Sequence, residues 1–296
     1  MSKIVSLINL KGGVAKTTTT VQLAECLALE FSKKVLVIDL DPQTNATIAL
    51  IGEEKWKDID DNRQTLFHLF NDKLENTSYF NIREAIQNQV SNLRIPFLSL
   101  LSSSIQFIDI QDRISDIAPR TGYAINPMEV LKTSIFNEIN NFDYVLIDCP
   151  PNLGFITRNG IEISDYYLIP TIPDFLSTYG ISQIVKSISK FKEDRSLRIE
   201  CLGLLITKYL SNSRIHERVM DGLPARFEKI FNELLIPPAP IFDIWIPQAN
   251  VTAEAMYFQD TVSTFRQKYG RSTSGGQYLY QYVIDLTKEF IRRVGN

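Results

Sequence analysis

A short apolar run, a pair of glycines flanked by lysines, and a long helical pattern open the chain in that order, and they constrain its fold more than any other feature. Residues 3–9 (KIVSLIN) are rich in β-branched side chains and read as a strand; KGG follows, and from Ala15 to about Phe31 the pattern is helical. A second strand at 34–39 (KVLVID) completes a βαβ unit, whose crossover is expected to be right-handed and whose strands are expected to be parallel. Apolar runs recur at 94–101, 143–149, 166–171 and 199–207 with helical patterns between them, and a short strand is expected at 239–242 after Pro237 and Pro238. The expected fold is therefore α/β: a doubly wound, mostly parallel sheet of about seven to eight strands with helices on both faces.

A chain of 296 residues is compatible with one such unit, and a single domain over 1–296 is expected. The polar, acidic stretch 52–64 (GEEKWKDIDDNRQ) reads as a surface insertion. With 44% hydrophobic and 22% charged residues the chain can build a sizeable core, which excludes wholesale disorder. It has no run of eighteen or more apolar residues, and its first residues lead straight into the glycine motif, so a cytoplasmic location is expected. Cys26, Cys149 and Cys201 lack close pairing, which argues against a disulfide framework or a cysteine-ligated cluster, and Cys26 reads as a small buried side chain. A last helix over 274–293 places Leu279, Tyr282, Val283, Leu286 and Phe290 on one face, as packing against the sheet requires. A membrane-surface helix is the alternative, for which a detached segment beyond the last core helix would be expected.

The chemistry is concentrated at strand ends. In NLKGGVAKTTTT (9–20), Gly12 and Gly13 let main-chain N–H groups converge on phosphate oxygens, the helix start at Val14, Ala15, Lys16, Thr17 and Thr18 adds its dipole, and Lys16 can reach the β- and γ-phosphates. Thr17 is then placed to bind Mg2+. A plain strand-to-helix turn is the alternative reading of two glycines beside two lysines. VLVIDLDPQTNAT (35–47) ends a strand with Asp39 and Asp41 at the carboxyl edge, where open α/β sheets bind ligands, and DYVLIDCPP (143–151) ends another with Asp148, a candidate Mg2+ ligand. Three such sites in order, each after an apolar strand, weigh against the plain turn.

The ordinary phosphate-loop pattern GxxxxGK[ST] fails at Leu10 and Ala15, but the string fits KGGxxK[ST], and the chain thereby resembles the ParA/MinD family of deviant Walker A ATPases. The resemblance is closest to the short ParA-type, Soj-like partitioning ATPases and runs through LIPTIPDFLSTYG (168–180), GLLITKY (203–209) and IPQANVTAEA (246–255). It implies ATP and Mg2+ as ligands, with Lys16, Thr17 and Asp148 holding them and Asp41 orienting the attacking water. It implies that Lys11 crosses to the phosphates of the second subunit of an ATP homodimer, that Pro247 and Gln248 approach the adenine, and that PPNLG (150–154) is a switch segment. Ala15 stands where the family commonly has glycine, which suits a right-handed residue at the helix start. The resemblance further implies a ParB-like stimulating partner, non-specific DNA binding on the nucleoid, and segregation of DNA or another large cargo. Gln248 and Val251 stand where relatives often have DNA-contacting arginines, so Arg214, Arg218, Arg266, Lys268, Arg271, Arg292 and Arg293 are the candidate basic surface, within a net charge of −3. A MinD-like membrane-attached ATPase and a regulator that scarcely hydrolyses ATP are the competing readings.

Overall fold

The computed structural model describes residues 2–295 other than 259–261, 271–272 and 274–275. The strands are β1 (Lys3–Leu7), β2 (Val35–Asp39), β3 (Ile86–Asn88), β4 (Leu98–Leu101), β5 (Tyr144–Asp148), β6 (Tyr166–Thr171) and β7 (Glu200–Ile206). The helices are α1 (Lys16–Leu29), α2 (Asn45–Asp61), α3 (Leu66–Glu75), α4 (Ile82–Ala85), α5 (Phe107–Arg113), α6 (Ile117–Arg120), α7 (Val130–Ile135), α8 (Phe155–Ile163), α9 (Phe175–Arg195), α10 (Arg214–Glu233), α11 (Asn250–Ala255), α12 (Phe265–Tyr269) and α13 (Leu279–Val294). The strands form one sheet in the order β3-β4-β2-β5-β1-β6-β7, parallel except for β3 against β4. The expected doubly wound, mostly parallel sheet is thus what the chain forms.

Strands β2, β4 and β5 are buried along their whole length, and β1 and β6 in all but their first residue, as parallel strands covered on both faces must be. One apolar cluster lies on the face that carries α3, α5, α8 and α9, and a second on the face that carries α1 and α13. Helix α8 lies close to the sheet because Gly160 lacks a side chain: a Cβ there would meet Leu40 Cδ1 at 2.9 Å and Ile147 Cγ2 at 3.3 Å. A third cluster joins Cys26 of α1 to Val251 and Ala255 of α11, Phe265 and Tyr269 of α12, and Leu279 and Val283 of α13. Beside it Glu25, fully buried, accepts hydrogen bonds from Lys268 Nζ at 2.7 Å, Ser91 Oγ at 2.5 Å and Tyr269 OH at 2.6 Å.

Several expectations need correction. The seventh strand is not 239–242, which contributes only a bridge from Ile241 to Leu204, but β3, a three-residue antiparallel edge. The stretch 52–64 is mostly exposed; beyond what its composition suggested, it is helical through Asp61, broken at Gly52 (φ 76°, ψ 164°), and anchored by buried Ile59 and by Trp56 Nε1, which donates to the Ser103 carbonyl. The last helix begins at Leu279; Ser274 lies outside the described residues. Its residues Leu279, Val283, Leu286 and Phe290 are buried as expected, with Tyr282 only partly so. Among the described residues, no helix is long and apolar enough to cross a membrane.

Candidate functional site

The sheet order sets β5 between β2 and β1, and the register aligns Asp148 with both Asp39 and Leu7. The carboxyl ends of the three strands therefore release Asp41, Asp148 and the glycine loop at one level of the sheet edge. Gly12, Gly13, Ala15, Lys16, Thr17, Thr18, Asp41, Gln43, Asn45 and Pro151 line a cleft of about 490 Å³ there. Helix α1 points its N-terminus into this cleft with no side-chain cap and no acidic residue in its first turn, so its orphan N–H groups and its dipole are directed at whatever anion binds.

The loop is pinned from below. Asn9 donates through Nδ2 to the Pro170 carbonyl at 2.7 Å and accepts from the Lys11 N–H at 2.9 Å. Gly13 takes φ 75°, and Ala15 takes φ 64° and ψ 30°. Ala15 is thus left-handed, not right-handed as expected, a conformation that costs an L-residue about 1–2 kcal/mol relative to the right-handed region. This accounts physically for glycine as the residue best suited to the position. Val14 differs from its neighbours: its side chain is wholly buried and its carbonyl accepts from Thr207 Oγ1 at 3.0 Å, so it supports the loop from the core side.

Lys16 is almost fully buried, with Nζ 3.4 Å from the Lys11 carbonyl. Burial lowers its ammonium pKa, against the charges of Asp148 and Asp41, which raise it. Phosphate oxygens in the cleft would act in the same direction as those carboxylates. Thr17 Oγ1 donates to Asp148 Oδ2 at 2.6 Å, while Asp148 Oδ1 is buried with no hydrogen-bond partner. Burial and the neighbouring Asp39 raise the Asp148 carboxyl well above the usual range. A hydroxyl and a carboxylate with one oxygen unsatisfied are hard donors that fit a small divalent cation, and such a cation would restore the charged carboxylate. Among the described residues no group of three or more His, Cys, Asp or Glu is placed to hold a metal.

Asp39 is a scaffold for the adjoining turn. It accepts from the Asp41 N–H at 3.1 Å and from the N–H and hydroxyl of Thr47 at 2.9 and 2.7 Å, and burial pushes its carboxyl up to about 7. Asp41 accepts from the Gln43 N–H at 3.0 Å and stays at the cleft wall. Lys11 is held on its own chain: Nζ lies 2.9 Å from Asp174 Oδ2 and 2.9 Å from Ser177 Oγ.

Pro247 and Gln248 do not line the cleft. They run beside Tyr209 beyond the end of β7, where the Gln248 N–H donates to the Tyr209 carbonyl, while Lys208, Ala253 and Met256 are in the lining. Nor do the basic residues form one surface. Lys268 is buried against Glu25; Arg293 is tied to Glu289 and the Ile241 carbonyl and stacks over Phe242; Arg292 pairs with Asp243; Arg271 lies outside the described residues. Val251 belongs to the third apolar cluster, and Arg214, Arg218, Arg266 and, despite its ion pair, Arg292 remain exposed. The residues missed from sequence are Asp174 and Ser177. A signal was present, since Asp174 follows an apolar strand as Asp39 and Asp148 do, three positions before a serine that completes a helix cap.

The sequence matches the family model described as an AAA domain (AAA_31) over residues 2–201. It is 25% identical to the chromosome partitioning protein ParA of Caulobacter vibrioides over 293 residues, 98% of this chain and 94% of that protein. Among solved structures, the plasmid partition protein of Borrelia burgdorferi bound to AMPPNP superposes with a TM-score of 0.63 at 19% identity, covering 98% of this chain and 100% of the other. Cobyrinic acid a,c-diamide synthase of Mycobacterium smegmatis, with bound ATP analogue and magnesium, gives a TM-score of 0.70 at 23% identity, covering 98% and 96%. These two likenesses are of fold. Because the family model spans more than half of its length, the chain belongs to the AAA_31 family of AAA domains, among the relatives of ParA.

Proposed function

We propose that this chain is a Mg2+-dependent ATPase that works as a dimerisation switch to position DNA or another large cargo. The observation that carries the reading is the Thr17–Asp148 pair at 2.6 Å, with an unsatisfied carboxylate oxygen on buried Asp148 and with Thr17 lining the same cleft as Lys16 and Asp41. Lys16 and the first-turn N–H groups of α1 would hold the phosphates; Thr17 and Asp148 would hold Mg2+, whose charge neutralises the phosphoryl oxygens. Asp41, held by its N–H to Asp39 and by Gln43, is at the wall where an attacking water needs a carboxylate to orient it. Lys11, next in sequence to Gly12 of the cleft lining, would supply a cation to the second subunit's phosphates, as a finger in trans. The relatedness to a chromosome partitioning protein supports positioning as the output. A stimulating partner and contact with DNA belong to the same proposal, with Arg214, Arg218, Arg266 and Arg292 as the exposed candidate arginines left to serve it.

The test is ATP turnover with and without Mg2+, joined to sizing chromatography with ATP. Wild type should hydrolyse ATP slowly and shift to a dimer; Lys16→Ala should bind no ATP; Asp41→Ala should dimerise without turnover; Lys11→Ala should bind ATP without dimerising. Undiminished ATP binding by Lys16→Ala would end the assignment of the cleft.

A further inference from the structure

The contact that Lys11 makes on its own chain is built from both sides. Its backbone is fixed by the Asn9 side chain, itself bonded to the Pro170 carbonyl and to Thr171 Oγ1, so the loop and the end of β6 are tied together. Asp174 lies three residues beyond that strand end and caps α9: Oδ1 accepts from the Ser177 N–H at 2.7 Å and Oδ2 from Ser177 Oγ at 2.9 Å. Only the Lys11 side chain must move for the ammonium to leave. Lys11 and Asp174 side chains are 41% and 28% exposed, so the pair is partly solvated and weak. When the ammonium leaves, the cap bonds to Ser177 remain, and Asp174 is not stranded as a buried bare charge.

We propose that Asp174 and Ser177 are positioning residues for Lys11, holding its ammonium on its own chain until the polyphosphate of a second subunit draws it away. This rests on the trans role given to Lys11 above. A triphosphate carries more negative charge than one carboxylate whose oxygens are already shared with the Ser177 N–H and hydroxyl, so the exchange favours the dimer once nucleotide is bound. Before that, the contact keeps a second cation from lying free beside Lys16, whose Nζ approaches the Lys11 carbonyl. The contact therefore opposes association and sets the nucleotide concentration at which dimers form.

Asp174→Asn tests this, because asparagine retains a good helix cap while removing the charge. The dimer fraction is measured against Mg-ATP concentration for wild type, Asp174→Asn, Ser177→Ala, Lys11→Ala and the double variant Lys11→Ala/Asp174→Asn. The half-maximal ATP concentration should fall about two- to five-fold in Asp174→Asn, the range expected for losing an exposed ion pair from the competing state. Ser177→Ala should fall less, and the double variant should stay monomeric like Lys11→Ala. A merely structural cap would give the opposite sign, a weaker dimer. An Asp174→Asn protein that dimerises like wild type or less readily, while Lys11→Ala does not dimerise, overturns the latch alone. A dimer from Lys11→Ala overturns the trans role and the latch with it.

Discussion

Replacing Ala15 by glycine should stabilise the protein, and the backbone gives the size of the effect. Ala15 sits at φ 64° and ψ 30° with no side-chain cap to compensate it. Relief of a left-handed L-residue is worth about 1–2 kcal/mol. Glycine gives back about 0.4–1 kcal/mol through the greater freedom of the unfolded chain. The net gain is about 0.5–1 kcal/mol. A chain of 296 residues unfolds with an entropy of about 2.1 cal/mol/K per residue, so this gain moves the melting temperature by only about 1–2 °C. The useful comparison therefore sets Ala15→Gly against Ala15→Val, because a β-branched side chain is worse than alanine in this region and brings no entropic change of the opposite sign. The two should differ by about 2–3 kcal/mol. Urea unfolding without nucleotide, followed by far-ultraviolet circular dichroism, reads the difference as a shift in midpoint at constant slope. A glycine variant less stable than wild type, or a valine variant equal to it, would refute the argument from backbone handedness.

Lys268→Met should destabilise by about 3–5 kcal/mol because it leaves Glu25 charged and buried, and adding Glu25→Gln should recover part of that; equal midpoints for single and double variants in urea would show that the pair is not coupled. Arg293→Ala should lower the urea midpoint, through loss of Glu289, the Ile241 carbonyl and the Phe242 face, and leave the salt dependence of any DNA retention unchanged; a shallower slope of log affinity against log salt would return Arg293 to the DNA surface. In nucleotide-free protein, Asp39 keeps its proton to about pH 7, whereas an unfolded aspartate loses it near about pH 4. That stability is fully present at low pH and is lost as pH rises through 7, and Asp148 acts with the same sign, so urea midpoints should fall from pH 5 to pH 8; a rising profile would refute it.

Much of this was legible in the sequence where local pattern and tertiary role coincide. β1, β2, β5 and β6 are apolar because they are covered on both faces, and the terminal acids of β2 and β5 are conspicuous because nothing else in those two strands is charged. β3 was not legible: Ile86, Gln87 and Asn88 carry no apolar run, and pairing with β4 alone makes them a strand. The backbone sign at Ala15 is set by the loop's path over Asn9 and Val14, which its side chain does not encode. Lys268 read as surface because lysines are mostly solvated, and its buried partner lies 243 positions away. Pro247 and Gln248 were assigned by motif position, while the walls of the cleft follow how α11 packs on α1, a long-range matter settled by Val251 and Cys26.

The Thr17–Asp148 hydrogen bond also bears on the sequence in which ligands arrive. Thr17 Oγ1 is bonded to Asp148 Oδ2 at 2.6 Å and Asp148 Oδ1 alone is left without a partner, so a bare cation meets one free protein oxygen and must break the bond to gain the others. A cation already chelated by phosphate brings most of its own coordination shell, while Lys16 and the α1 N-terminus receive the anion in the same event. Metal and nucleotide are then expected to enter as a unit, with little affinity of the protein for the metal by itself.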